Sequence, residues 1–194
     1  MTRRPSFAPT GNPEADRLLI DDPFALVVGM LLDQQIPIEW AFIGPYRLRE
    51  RIGDQFSASG IAAMDPERLV AVFSEKPALH RYPAAMARRT QELARHVVER
   101  HDGDVARVWR GARSGERVHE RVRELPGFGD EKAQIFMAVL AKRFDKRPAG
   151  WEAFAGPFAD ETPRTVADIG DADGLAAVRQ WKKAQKQAGR SKSD

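Results

Sequence analysis

Apolar residues in this chain recur at three- and four-residue intervals, the period of a buried helical stripe. No stretch alternates with the period of two that a strand needs. A first helix is expected from Asn12-Pro13, with the proline in its first turn, to about Ile20. Asp21-Asp22-Pro23 then restarts the pattern. From Phe24 the chain is apolar almost all round, with Phe24, Val27, Val28 and Leu31 on one face, as in a helix inside a core; it stops at Asp33-Gln34-Gln35. Ile38 to Ile52 reads as the next helix, carrying Trp40, Ile43, Tyr46 and Leu48 and closed by Gly53. Two short helices follow, Ser57 to Met64 and Asp65-Pro66 to Phe73, the second with Asp65 as N-cap. After a linker from Lys76-Pro77 to Tyr82-Pro83, the stripe Met86, Thr90, Leu93, Ala94, Val97 predicts a long helix up to His101-Asp102-Gly103. Val105 to Trp109 reads as a short helix, Gly111 to Gly115 as a polar loop, and Thr162 to Asp173 as loop-rich. Towards the C-terminus Leu175, Val178 and Trp181 mark a final helix. The expected fold class is all-α, without internal repeats.

Two further stripes face each other across a glycine turn. Val118, Val122 and Leu125 form one; Ala133, Phe136, Met137 and Leu140 form the other. Between them lies Leu125-Pro126-Gly127-Phe128-Gly129. Pro126 disfavours helix at Leu125, and the two glycines permit a tight reversal. Asp130 and Glu131 then fall in the first turn of the next helix, where carboxylates suit the macrodipole. The spacing predicts a helix-hairpin-helix over about 116–143. Its glycine turn, with the free N–H groups that open the second helix, makes a concave donor site for a phosphate. A hairpin used only for packing would carry the same spacing.

Composition adds bounds. The 194 residues suit one domain or a pair of small lobes, and 42% hydrophobic with 30% charged residues is a globular balance. A net charge of +3 and a pI near 9.4 are mildly basic, compatible with a polyanionic partner. The chain has no cysteine, which excludes disulfides, thiolate zinc sites and iron–sulfur clusters. The N-terminus lacks the apolar run of a signal peptide and no stretch is long enough to span a membrane, so a cytoplasmic, nucleoid-associated monomer is expected. Arg3 and Arg4 lie in an extended arm. Arg88, Arg89, Arg95 and Arg100 read as the solvated side of the long helix. Lys182, Lys183, Lys186, Arg190 and Lys192 form a basic end that adds sequence-independent affinity for a polyanion or serves solubility.

Three features carry a resemblance to a known family. They are Leu125-Pro-Gly-Phe-Gly129 followed by Lys132-Ala133, the apolar run that ends in Gln34-Gln35, and a short turn with an aromatic, Tyr82, before a long helix. Together they resemble the helix-hairpin-helix DNA glycosylase superfamily, the endonuclease III-like and 3-methyladenine-glycosylase-like base-excision enzymes, over about residues 23–144. The resemblance implies a two-lobed helical fold: an arm and first helix over 1–22, a helical barrel with the hairpin over 23–144, and C-terminal helices over 145–194 packing with the N-terminal segment. It implies double-stranded DNA as the partner, contacted by Gly127, Phe128, Gly129 and Lys132. Gln35, or its neighbour Gln34, would fill the gap that an extruded base leaves; both could instead simply end a helix at the surface. It further implies a Na or K ion on the backbone carbonyls of Arg123, Leu125 and Phe128, and no required cofactor. Many relatives carry a [4Fe–4S] cluster, for which this chain has no ligands.

Two positions depart from the family pattern. Bifunctional relatives carry a catalytic Lys at the second position after the second hairpin glycine. Here that residue is Glu131, and Lys132 follows it, about 100° further round the helix. The family's catalytic Asp, one helix and a loop further on, corresponds to Ala149, Gly150 or Trp151. Glu152 is the nearest carboxylate and Asp145 the next. An oxocarbenium-like centre needs an anion close by, which Glu152 or Glu131 would have to supply. Trp151 either stacks on a base or packs. The expected function is base-excision repair by a monofunctional DNA glycosylase that flips and excises a damaged or mismatched base. Its rivals are a non-catalytic DNA-binding relative, a bifunctional glycosylase/lyase using Lys132, and a helical protein-interaction module without DNA.

Overall fold

Short polar residues placed just ahead of prolines start several of the helices. The Asn12 side chain accepts the Glu14 and Ala15 N–H groups at 3.0 Å, Asp22 accepts that of Phe24 at 2.8 Å, and Asp65 that of Arg68 at 2.8 Å. Each satisfies donors that a helix start leaves open. The computed structural model describes residues 5–189, so Arg3, Arg4, Arg190 and Lys192 lie outside the described residues. Among the described residues there are ten α-helices and no strand. They are α1 (Pro13–Asp21), α2 (Pro23–Leu32), α3 (Ile38–Ile52), α4 (Ala58–Ala63), α5 (Pro66–Ser74), α6 (Pro83–His101), α7 (Gly115–Arg123), α8 (Asp130–Arg143), α9 (Trp151–Ala155) and α10 (Ala172–Ala188). No helix among the described residues is long and apolar enough to cross a membrane.

α2 is the axis of the core. Every residue from Phe24 to Leu32 is buried, as its lack of a polar face demands. α3 packs on it, with the Phe42 ring seated against Gly29, where a side chain would collide. α4 and α5 lie on α6, while α7, α9 and the Val166–Asp168 turn pack against α8. One continuous cluster of buried apolar side chains joins all of these groups. The segment before α1 and the final helix α10 pack on the same body. The Ser6 N–H donates to the Arg143 carbonyl at 3.2 Å, Phe7 packs edge-on to Phe42, and Arg179 of α10 pairs with Glu39 of α3.

Two short segments take 3-10 geometry. The short helix expected at Val105 to Trp109 is a 3-10 helix over Val105–Val108: Asp104 caps it at Ala106 N, 3.0 Å away, and the stretch between Gly103 and Gly111 is too short to repay α-helix nucleation. The loop-rich Thr162–Asp173 segment holds a 3-10 turn at Val166–Asp168. A Thr165–Asp168 capping box closes it, and Lys142 of α8 reaches Asp168 at 2.7 Å with both side chains buried.

Candidate functional site

The glycine turn closes through the Phe128 N–H, which donates to the Leu125 carbonyl at 3.0 Å. Gly127 has φ +86°, a conformation few side chains tolerate, and a Cβ there would also collide with Leu31 of α2. The glycine therefore does two jobs: it turns the chain and lets the hairpin seat on the C-terminal end of α2. Phe128 is buried edge-on to Phe136 at 6.1 Å, and Arg123 pairs with Asp130 at 2.7 Å across the mouth of the hairpin. Gly129 and Asp130 are exposed, and no side chain caps the start of α8.

Four carbonyls at the end of α2 need donors, and all four obtain one. Gly29 O accepts from the Asp33 N–H at 3.1 Å, Leu32 O from the Gln34 N–H at 2.7 Å, and Leu31 O from Gln34 Nε2 at 2.7 Å. Met30 O accepts from Lys132 Nζ, which also donates to Asp33 O at 3.2 Å. A cation at this end also suits the helix dipole. Lys132 thus crosses from α8 to α2, its ammonium 5.9 Å from the centre of the Phe128 ring. This is a use the sequence pattern did not indicate.

Gln34 is held from every side. Its carbonyl accepts from His80 Nε2 at 2.9 Å, and its Oε1 accepts from Arg89 at 3.0 Å. His80 Nδ1 accepts the Tyr82 N–H at 3.0 Å, so the ring is neutral with its proton on Nε2. Burial pushes the His80 pKa below its ordinary value, outweighing the carbonyls of Gln34 and Leu32 that favour the proton; Arg89 and Lys132 act in the same direction as burial. Gln35, the next residue, is exposed and takes φ +58°. The two glutamines therefore separate by role: Gln34 closes a helix, and Gln35 stands at the tip of a pinned turn. Beside them Tyr82 is exposed, with the Arg81 guanidinium 5.4 Å from its ring centre.

The structure gathers Gln34, Gln35, Gly127, Phe128, Gly129 and Lys132 at one end of the α2–α8 pair. Glu131 is exposed in the first turn of α8 on the same end. Glu152 lies in the first turn of α9 and follows Trp151, whose backbone packs on Gly115 at the start of α7. α9 packs on both α7 and α8, and Gly156 at its end lies against the Gln134 side chain of α8. Trp151 is half-buried against the core, and Asp145 lies beyond the C-terminus of α8. For the proposed cation, Leu125 O spends one lone pair on Phe128 and keeps the other. Among the described residues no group of three His, Asp or Glu side chains could hold a metal, so an ion here would rest on main-chain oxygens.

Sequence reasoning missed His80 and Arg89. A lone histidine in the Leu79–Tyr82 linker was the one available signal, and nothing in the pattern pairs it with Gln34, 46 residues away. No family model, no curated protein and no solved structure matches the chain.

Proposed function

We propose that this protein binds duplex DNA as a helix-hairpin-helix protein of the base-excision kind, acting where a base leaves the stack. The observation that carries the reading is the tie made by Lys132. It fixes the glycine turn and the Gln35 turn in one constant relation. A turn with an uncapped helix start presents N–H donors to a phosphate, and Gly129 has no atom near the place of a Cβ, so a backbone can approach. Gln35 projects from a turn that Gln34 pins, the rigid support that an inserted amide needs. Arg81 and Arg89 add positive charge alongside.

The Lys132 ammonium donates to two carbonyls, which leaves it a structural cation rather than an amine nucleophile, and speaks against lyase chemistry. One observation favours the rival, a hydrolytic glycosylase: the exposed Glu131 lies in the first turn of α8 beside the donor site.

Fluorescence anisotropy on labelled duplexes tests both. Affinity should fall steeply with salt. Gly129→Ala should weaken binding to every sequence by about tenfold, the worth of one charge-assisted hydrogen bond, without loss of stability. A folded Gly129→Ala protein that binds as well as wild type would sink the reading. Alkali-labile abasic sites made from a lesion panel by wild type and not by Glu131→Gln would establish the glycosylase.

A further inference from the structure

A second feature lies at the opposite end of the α2–α8 pair. It is a cleft of about 990 Å³, within the size range of small-molecule sites. Its floor is apolar: Leu26 of α2, Val118 of α7 and Leu140 of α8, all buried core residues. Ile20, Trp109 and Phe144 form walls and stay only partly covered. Leu140 lies eight residues along α8 from Lys132, about 12 Å, so the cleft is separate from the hairpin face.

The mouth is cationic and built from pinned backbone. The Ala149 N–H donates to Arg113 O at 3.0 Å and the Gly115 N–H to Ala149 O at 2.8 Å, which ties the 145–149 strap to the 111–115 loop. Arg147 Nε donates to Ala141 O at 3.2 Å and holds the strap to α8. Among the described residues four cations line the cleft, Arg110, Arg113, Lys146 and Arg147, against one carboxylate, Asp145. Arg110 is engaged by Asp104 at 2.7 Å, and Arg147 approaches Asp145 at 3.9 Å. The side chains of Arg113 and Lys146 form no ion pair among the described residues. Apolar walls under a rim with two uncommitted cations match a molecule with an apolar body and one anionic head. A neutral ligand would leave the rim charge unused, and a cationic one would be repelled.

We propose that this cleft binds an amphipathic carboxylate, with its hydrocarbon body on the Leu26–Val118–Leu140 floor and its headgroup at Arg113 and Lys146. The site does not depend on DNA binding. Calorimetric titration of the full chain with dodecanoate, dodecanol and dodecyltrimethylammonium, each below its aggregation threshold, tests it. One dodecanoate should bind per chain and change tryptophan emission, a change lost in Trp109→Phe. Arg113→Glu with Lys146→Glu, both at exposed positions, should weaken dodecanoate at least tenfold and leave dodecanol unaffected. Ala112→Trp, which fills the mouth, should block both. Absence of saturable dodecanoate binding, equal binding of the cationic amphiphile, or indifference to charge reversal would each overturn the proposal. Charge reversal that weakens duplex binding but not dodecanoate binding would assign these cations to the DNA surface instead. Hairpin variants should leave dodecanoate binding unchanged, so failure here and failure of the DNA reading are separable.

Discussion

The two ends of the α2–α8 pair are made from the same helices and finish in opposite ways. At the C-terminal end of α2 the gap is closed: Leu31 enters the space over Gly127, and Lys132 reaches across to Met30 and Asp33 carbonyls. At the other end Leu26 and Leu140 face a cleft, because the strap and loop that could cover them are hydrogen-bonded to each other and to α8 rather than to α2. Closure here depends on one residue with no side chain and one with a long charged one. An apolar stripe buries a helix but does not decide whether its ends are sealed.

The sharpest way to break the contrast is Gly127→Ala. The substitution forces an alanine into positive φ and drives its Cβ into Leu31, which should cost about 2–4 kcal/mol in a denaturant titration. Gly129→Ala, with φ −82° and open space around it, should cost under about 0.5 kcal/mol. Equal losses from the two would mean that the hairpin does not seat on α2. Next comes Lys132→Met, which keeps the stem and removes the ammonium. The freed Met30 and Asp33 carbonyls should lower stability by about 1–2 kcal/mol and weaken duplex binding, with dodecanoate binding at the far end untouched. A variant as stable as wild type would show water doing the work of the lysine.

The smallest effect expected is the pH dependence at the closed end. His80 is buried as the neutral ring, so its folded pKa lies below the ordinary value of about 6.5 that it regains on unfolding. Below that value the unfolded chain binds the proton first, so this contribution is present above about pH 6.5 and is lost as pH falls. His96, His101 and His119 are shifted the same way, chiefly by burial, and each has an Nε2 without a hydrogen-bond partner. Denaturation midpoints at pH 8 and pH 5.5 should therefore differ, with the acid value lower. The difference should shrink in His80→Gln. A midpoint that rises on acidification would contradict the buried neutral ring and the turn it holds.

Much of the fold is legible from residue spacing. The start of α1 at Asn12-Pro13, the N-cap at Asp65, the all-round apolar α2, the extent of α3 and the two helices of the hairpin follow from local rules of capping and periodicity. The site is legible in part. Gly127, Gly129 and Gln35 stand out because glycine and a polar run-end are local signals. His80, Arg89 and the second role of Lys132 do not, since each acts on a backbone atom or amide far away in the chain. The packing around the expected acid is likewise non-local: Glu152 is the nearest carboxylate in sequence, and only the fold sets its helix between α7 and α8.

The sequence by itself determined that the chain is helical, where most helices begin and end, and that a glycine hairpin with an acidic first turn lies near position 127. Those properties rest on interactions within a few residues, which any unfolded segment already encodes. Only the tertiary structure decided that Gln34 is consumed as a cap while Gln35 is presented, that Lys132 joins two helices, and that one end of their contact is sealed and the other open. These outcomes depend on which carbonyls lack a donor after packing and on which side chain is long enough to reach them, and no local pattern contains that information.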